Sequence, residues 1–187
     1  MFKNLFRRMC APFVLYFICF FIDRKYIAGR YFEESYIGYG WAIKTIWYRN
    51  ILRLAKPSKL PVHSGCIVSN PDNIIFHPDD LHIFQVPGTY YQNFKAKIYI
   101  GKGSYIAPNV GIITANHLFG DLDNHVDGED IVLGEKCWVG MNSVILPGVV
   151  LGPNSVVAAG SVVTKSYPEG SVILGGTPAK VIKTLNT

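Results

Sequence analysis

A six-residue period runs through residues 98–168 and restricts the fold more than any other feature of the chain. From Leu133 it reads LGEKCW, VGMNSV, ILPGVV, LGPNSV, VAAGSV and VTKSYP, and the same frame fits IGKGSY, IAPNVG and IITANH upstream. An α-helix repeats every 3.6 residues and a lone strand every 2, so neither explains this period. A fixed period with Gly, Asn and Pro between aliphatic residues is typical of a β-solenoid, with three hexads to each triangular coil.

Two positions of each hexad are predicted to face the interior of the solenoid. The opening residue is aliphatic: Ile100, Ile106, Ile112, Leu133, Val139, Ile145, Leu151, Val157 and Val163. The residue four places later is small or Val: Cys137, Ser143, Val149, Ser155 and Ser161. An interior position makes Cys137 a poor candidate for a nucleophile. With 49% hydrophobic residues in the chain, a core of this kind is feasible.

The sequence divides into four parts. Residues 1–60 are predicted to form a helical, basic and apolar N-terminal segment, and residues 61–97 irregular early coils. Residues 98–168 form the regular solenoid, interrupted by a loop at residues 118–132, and residues 169–187 form a C-terminal tail. The predicted class is therefore all-β with an α-helical appendage.

The net charge of +5 conceals an asymmetry. Residues 1–60 contain eleven Lys and Arg against three acids, and residues 61–187 contain seven against ten. The basic character belongs to the appendage. No basic stripe follows a groove-reading motif, so the sequence does not favour nucleic acid as a partner.

An uncharged run from Met9 to Ile22 follows Arg7 and Arg8. It is shorter than the roughly 20 residues of a membrane span. Two interpretations stay open: a membrane-surface or re-entrant anchor involving residues 1–25, or a helix buried against the solenoid or a neighbouring subunit. The first, bracketed by positive charge, is favoured.

A second apolar segment, Trp41 to Leu54, is predicted to be an amphipathic helix. Ile43, Trp47, Ile51 and Leu54 share its apolar face, and Arg49 lies on its polar side. Either packing on the first coil or a second membrane contact explains this pattern.

The four cysteines show neither metal-ligand spacing nor a paired framework: Cys10, Cys19, Cys66 and Cys137. Reduced thiols in a cytoplasmic protein are the expectation. Together with the basic anchor, this predicts a location at the inner face of the membrane.

Residues 118–132 interrupt the period and are predicted to leave the solenoid as an acidic, polar loop. His117 ends the hexad before this loop and is predicted to point outward. Loops on a rigid scaffold often carry function. A histidine with a pKa of about 6.5 is suited to act as a general base near neutral pH.

Several motifs together resemble the hexapeptide-repeat acyltransferases. They are the hexads, the outward His117 before a loop, Trp138-Val139-Gly140 after it, the run AAGSVVTK at residues 158–165, and GGTPAKVI at residues 175–182. The similarity covers about residues 98–185 and is nearest to galactoside and maltose O-acetyltransferases and to the sugar O-acetyltransferases of capsule and lipopolysaccharide synthesis.

This resemblance implies a left-handed parallel β-helix that assembles as a homotrimer with active sites between subunits. Acetyl-CoA is the implied co-substrate, and no metal is required. His117 is implied as general base for direct transfer, with the backbone N–H of Met141 as oxyanion donor. The implied coenzyme contacts are Trp138, Gly140, Ala159, Thr164, Lys165, Lys180 and Lys183.

The acceptor is expected to be a sugar or polysaccharide precursor. The family's acceptor contacts come from an N-terminal cap that this chain does not resemble. Candidate acceptor contacts are therefore chosen by position in this chain. They are Tyr91 and Asn93 before the regular coils, and Asp121, Asp123 and His125 in the loop.

Other functions remain open. An acetyltransferase for an antibiotic or for serine fits the same coils, although the large helical domain of serine acetyltransferases is missing. A γ carbonic anhydrase-like metalloenzyme would need three histidines around zinc, for which His63, His77 and His82 are available. A non-catalytic scaffold is the remaining alternative, and it should not bind coenzyme A.

Overall fold

The computed structural model describes residues 11–185. The chain forms two compact units, residues 1–64 and residues 65–187. Met9 and Cys10, at the start of the predicted apolar run, lie outside the described residues.

The described part of the N-terminal unit consists of short helices, in agreement with the predicted helical appendage. They are α1 (Ala11–Cys19), a 3-10 turn (Arg24–Tyr26), α2 (Arg30–Glu33) and α3 (Ile37–Thr45), which continues into a π-helix (Ile46–Ile51). Within residues 11–185, no helix combines the length and apolar character needed to cross a membrane.

Helix α1 and the residues after it divide the apolar run between interior and surface. Ile18 and Ile22 are buried, whereas Phe13, Tyr16 and Phe20 are 81–84% exposed. Exposed aromatic side chains of this size are unusual on a single folded unit and indicate a surface that contacts something else.

The amphipathic segment begins earlier than predicted, at Ile37. The side chains of its predicted apolar face, Ile43, Trp47, Ile51 and Leu54, are exposed. Arg49, predicted to be polar surface, is buried and donates to the carbonyl oxygens of Lys56, His63 and Ser64. The placement of Arg49 on the polar surface was wrong, because a guanidinium that satisfies three carbonyls can be buried.

The second unit winds through three sheets whose stacked strands are parallel. Sheet 1 contains β1 (Ile67–Val68), β3 (Tyr90–Gln92), β6 (Gly111–Ile113), β11 (Val144–Ile145) and β14 (Val162–Val163). Sheet 2 contains β2 (Ile74–Phe76), β4 (Ile98–Ile100), β9 (Ile131–Leu133) and β12 (Val150–Leu151). Sheet 3 contains β5 (Tyr105–Ile106), β10 (Trp138–Val139), β13 (Val156–Val157) and β15 (Val172–Gly176), and β16 (Ala179–Thr184) pairs antiparallel with β15.

Successive strands visit sheets 1, 2 and 3 in turn, which makes the unit a three-sided parallel β-helix. We call the turn from sheet 1 to sheet 2 edge 1, the turn from sheet 2 to sheet 3 edge 2, and the turn from sheet 3 back to sheet 1 edge 3. In sheet 1, Ile145 lies in register with Ile112 on one side and Val163 on the other.

The interior follows the six-residue period. The aliphatic residues that open the hexads are all buried, and so are the predicted small positions Cys137, Ser143, Val149, Ser155 and Ser161. Ser143 and Ser155 satisfy their hydroxyls by donating to the carbonyl oxygens of Ala158 and Gly152. Small side chains at these places let the backbone turn between sheets without leaving an unpaired polar group.

The turns explain why Asn and Gly recur between the aliphatic residues. At edge 3, Asn109 and Asn142 both have φ of 60° and Gly160 has φ of 72°. This left-handed region is accessible to Gly and tolerated by Asn. The side-chain amide of Asn109 also donates to Asn142 Oδ1, 3.1 Å away, so neighbouring coils are tied at this edge.

Strands of the solenoid are found before residue 98 and after residue 168 as well as between them. Residues 61–97 already contribute β1, β2 and β3, and a 3-10 segment (Pro78–Gln85) replaces the sheet 3 strand in the first coil. The tail at residues 169–187 contains β15 and β16. The inserted loop contains a hairpin of β7 (His117–Leu118) and β8 (Asp121–His125), and it ends at Asp130 rather than at residue 132, because Ile131 starts β9.

Candidate active site

His117 lies where the chain leaves edge 1 and is exposed, as predicted. Its Nδ1 lies 2.7 Å from the carbonyl oxygen of Leu122, within the same hairpin. A carbonyl oxygen can only accept, so Nδ1 carries the hydrogen when this bond forms. Neutral His117 then keeps its lone pair on Nε2, which is the requirement for a general base.

A second histidine lies against the first. The ring centroids of His117 and His125 are 4.1 Å apart with an interplanar angle of 35°, and the two residues pair across β7 and β8. Phe94 meets His125 in a T-shaped arrangement with centroids 4.9 Å apart. Sequence reasoning identified both histidines but missed Phe94 and the Leu122 carbonyl, because the hairpin that brings them together has no six-residue period.

The base of the loop is held by the coil below it. Gln92 is buried and accepts hydrogen bonds from the backbone N–H groups of Thr114 and Ala115, and it donates to the Ala115 carbonyl. These bonds fix the backbone that leads into His117. The sequence alone gives no signal for this role, since Gln is equally common on exposed surfaces.

The acidic residues of the loop are exposed. Asp121 accepts a hydrogen bond from the side chain of Asn124, and Asp123 lies on the same strand, β8. Both are placed near His117 by the hairpin and stay predicted acceptor contacts.

Two predicted acceptor contacts are corrected by the structure. Tyr91 is fully buried, faces the interior in register with Ile112, and donates its hydroxyl to the carbonyl of Ile83. Asn93 is also fully buried, with its side chain bonded to the backbone N–H and carbonyl of Asn70. Neither reaches the surface, because each fills the coil or ties it to the preceding one.

Met141 lies at edge 3, on a different edge from His117. Within residues 11–185, no hydrogen-bond acceptor is found for its backbone N–H, while its carbonyl accepts from Gly160. The N–H is therefore available to a ligand at that edge. One chain alone does not bring it together with His117.

The predicted coenzyme residues lie in two places: at edge 1, where His117 is, and on sheet 3 and edge 3, where Met141 is. Thr164 and Lys165 follow β14 at edge 1, the same edge as His117. Trp138 lies on sheet 3 with half of its side chain exposed, and Ala159 is exposed one coil beyond Met141 at edge 3. Lys180 and Lys183 lie exposed on β16, opposite Gly175 and Ile173.

Gly140 is corrected from a coenzyme contact to a packing position. It is buried, and a Cβ there would lie 2.7 Å from both the backbone nitrogen of Ala159 and the carbonyl oxygen of Val157. Glycine is required because the next coil passes too close for any side chain.

Cys137 is packed inside the solenoid, and burial raises the pKa of its thiol. A thiol that resists ionisation is a weak nucleophile. Among the described residues, no group of three or more His, Cys, Asp or Glu is arranged to hold a metal ion.

Comparison with known proteins agrees with this geometry. Residues 130–165 match the family model "Bacterial transferase hexapeptide (six repeats)". The Saccharomyces cerevisiae protein YJL218W, whose name describes an acetyltransferase, is 44% identical in an alignment of 155 residues that covers 75% of this chain and 78% of that protein. The chain belongs to the hexapeptide-repeat acetyltransferases.

Galactoside O-acetyltransferases are also relatives of the chain. The enzyme of Lactococcus lactis is 32% identical over 145 residues, covering 72% of this chain and 68% of that protein. The enzyme of Escherichia coli is 37% identical over 106 residues, and the chain spans about half of its length, 52%. As a member of this family, the chain is an enzyme that transfers acyl groups.

Proposed function

We propose that the chain is an O-acetyltransferase that moves an acetyl group from acetyl-CoA to a hydroxyl of a sugar or polysaccharide precursor. The observation that carries this proposal is the 2.7 Å contact between His117 Nδ1 and the Leu122 carbonyl, which leaves Nε2 as the basic nitrogen on an exposed hairpin. The names of the galactoside O-acetyltransferase relatives support a sugar acceptor.

The reaction proceeds directly between the two substrates. His117 Nε2 takes the proton of the acceptor hydroxyl while its oxygen attacks the thioester carbonyl of acetyl-CoA. The negative charge that develops on the carbonyl oxygen is stabilised by the N–H of Met141. Collapse breaks the C–S bond, and the departing CoA sulfur takes the proton from His117. The buried, poorly ionised Cys137 is consistent with a route without an acyl-enzyme.

The complete site forms between chains. His117 is at edge 1 and Met141 at edge 3, so edge 1 of one chain must face edge 3 of another to bring base and oxyanion donor together. Three left-handed β-helices around a threefold axis provide this arrangement three times. A homotrimer is therefore part of the proposal.

Acetyl-CoA lies along the resulting cleft. Thr164 and Lys165 contact it from the His117 edge, while Trp138 and Ala159 contact it from the facing chain. Lys180 and Lys183 bind its phosphates, since ammonium groups form strong charge-assisted hydrogen bonds with phosphate oxygens. Asp121 and Asp123 hydrogen-bond the hydroxyl groups of the acceptor.

A contact with the cytoplasmic face of a membrane is a further part of this proposal. Phe13, Tyr16 and Phe20 expose aromatic rings in the unit that also carries the excess of positive charge. Aromatic residues and Lys or Arg together suit the boundary of an anionic bilayer. Such a contact would place the enzyme near a lipid-linked or growing saccharide.

The test of the catalytic proposal is acetyl-CoA turnover against a panel of sugars and nucleotide sugars. With the best acceptor, His117→Ala should lower kcat on the order of 100-fold or more, the scale for loss of a general base. Asn116→Ala, at the adjacent exposed position, is the matched control and should stay near the wild-type rate. Unchanged turnover in His117→Ala removes His117 from the mechanism, and absence of CoA binding by the wild type contradicts the enzyme proposal.

A further inference from the structure

Three aromatic rings lie in a row at edge 1, and they come from separate positions in the chain. His117 contacts His125 at 4.1 Å between centroids, and His125 contacts Phe94 at 4.9 Å. Phe94 follows β3, in the coil that precedes the hairpin, whereas the histidines occupy β7 and β8. The row therefore connects the proposed base to the rigid solenoid.

His117 needs such a connection because its hairpin is otherwise exposed. Residues 116–124 are all exposed, and the hairpin tip at Phe119 is fully so. The ends of the loop are tied down by backbone bonds, from Val126 N–H to the Asn116 carbonyl and from Glu129 N–H to the Thr114 carbonyl. Nothing in those bonds determines how the imidazole ring of His117 is turned.

Two contacts of different geometry determine the ring's orientation. The bond from Nδ1 to the Leu122 carbonyl fixes one direction but still permits the ring to swing about that direction. The ring of His125 lies against it, 4.1 Å away between centroids and tilted by 35°, and its bulk limits the swing. The T-shaped contact with Phe94 in turn limits the movement of His125.

We infer that His125 is a positioning residue for His117: its ring holds the plane of the proposed base so that Nε2 keeps pointing at the acceptor, and Phe94 fixes His125 to the coil. This inference rests on the proposed role of His117. The sequence suggested His125 as a contact of the acceptor. The inference instead gives its ring face the task of holding His117.

The first test compares two substitutions at the same position. His125→Ala removes the ring and should lower kcat about tenfold, because small misplacement of a catalytic group is costly. The KM for the acceptor should stay near the wild-type value. His125→Phe keeps a flat ring without nitrogen and should retain kcat to within about threefold, by the same argument. Equal losses in both variants, a loss confined to acceptor KM, or a wild-type rate in His125→Ala would each overturn the inference.

The second test addresses the link through Phe94. Phe94→Ala should lower kcat in the same direction as His125→Ala but less. The double variant should be no slower than His125→Ala alone, because residues that act through one contact have non-additive effects. If the losses of kcat in the two single variants add up in the double variant, Phe94 acts independently of His125. That result would contradict a link from Phe94 through His125 to His117.

The third test does not depend on turnover. Histidine labelled with nitrogen-15 reports which ring nitrogen carries the hydrogen, and His117→Ala identifies the signal of His117. All three proteins should show His117 protonated on Nδ1, because the Leu122 carbonyl sets the tautomer. The shifts of the carbon-bound ring protons of His117, read in the same spectra, should change in His125→Ala, which lacks the neighbouring ring, and should change less in His125→Phe. If His117→Ala proves fully active but these spectra behave as expected, the proposed function fails and the positioning contact stands. Ring-proton shifts of His117 that are the same in the wild type and in His125→Ala would contradict the contact itself.

Discussion

At the scale of single residues, the partner of one ring nitrogen decides what His117 can do. Position in the period predicted that His117 would point outward, and the structure confirms its exposure. The acceptor that sets the tautomer is a backbone carbonyl five residues later, at Leu122. Backbone carbonyls are present at every residue, so no sequence pattern identifies the one that will be used.

Burial of Tyr91 makes a residue-scale prediction about alkaline stability. Burial, with a smaller contribution from nearby Cys66, raises the pKa of Tyr91 well above its usual value. The folded protein keeps the phenol neutral, whereas the unfolded chain ionises it from about pH 10 upward. The neutral phenol therefore contributes its full share to the free energy of unfolding below pH 10. Above pH 10 this share falls by about 1.4 kcal/mol per pH unit, because only the unfolded chain releases the proton.

Tyr91→Phe should be less stable at pH 7, because it lacks the hydrogen bond to Ile83, but its stability should fall less between pH 9.5 and 11. Denaturant titrations across this range measure both effects. Parallel pH profiles for the variant and the wild type would contradict the assigned burial.

At the scale of elements, a strict period was a better guide than amphipathic pattern. Every hexad-opening residue from Ile100 to Val163 proved buried, since each coil repeats the same inward direction. In the segment around Trp47, the hydrophobic pattern did not show which face packs within the unit. The face that carries Arg49 is the packed one, because Arg49 donates to carbonyl oxygens that become its neighbours only after folding. For the loop after His117, the sequence likewise predicted only an acidic, polar composition and not the hairpin of β7 and β8.

Arg49 provides the element-scale prediction. Arg49→Leu keeps the apolar stem but leaves the carbonyls of Lys56, His63 and Ser64 without this donor, and it should cost about 3 kcal/mol of stability. Arg49→Lys should lose less, since an ammonium can retain part of the bonding. Exposed Arg53→Leu is the matched control and should be near neutral. Equal melting temperatures for Arg49→Leu and wild type would show that these bonds do not stabilise the unit.

At the scale of the whole molecule, the excess of positive charge lies in residues 1–60, with eleven Lys and Arg against three acids, and the residues proposed for chemistry lie in residues 65–187. Charge composition indicated the first location, and the six-residue period indicated the second. The proposed pairing of edges from different chains does not follow from composition or period, because it depends on where each turn lies around the coil.

The membrane proposal is tested with vesicles containing anionic phospholipid. Replacing Phe13 and Phe20 by Ser should reduce sedimentation with these vesicles several-fold, since each removes exposed apolar area from the contact. Acetyl-CoA turnover with a soluble acceptor should be unaffected. Exposed Leu118→Ser and Phe119→Ser in the second unit serve as the matched control for sedimentation and should not change it. Binding that is equal for the Phe13/Phe20 variant and the wild type would contradict the proposed surface.

The central claim is that His117 of one chain works with the sheet 3 surface of another, and subunit mixing tests it most directly. His117→Ala and Trp138→Ala are each expected to be nearly inactive alone. When the two are co-expressed and mixed oligomers are isolated, a contact between the intact His117 of one chain and the intact Trp138 of the other restores a wild-type site. The account predicts recovered acetyl-CoA turnover in these mixtures. No recovery, with both inactive variants verified to assemble together, would contradict a site shared between chains.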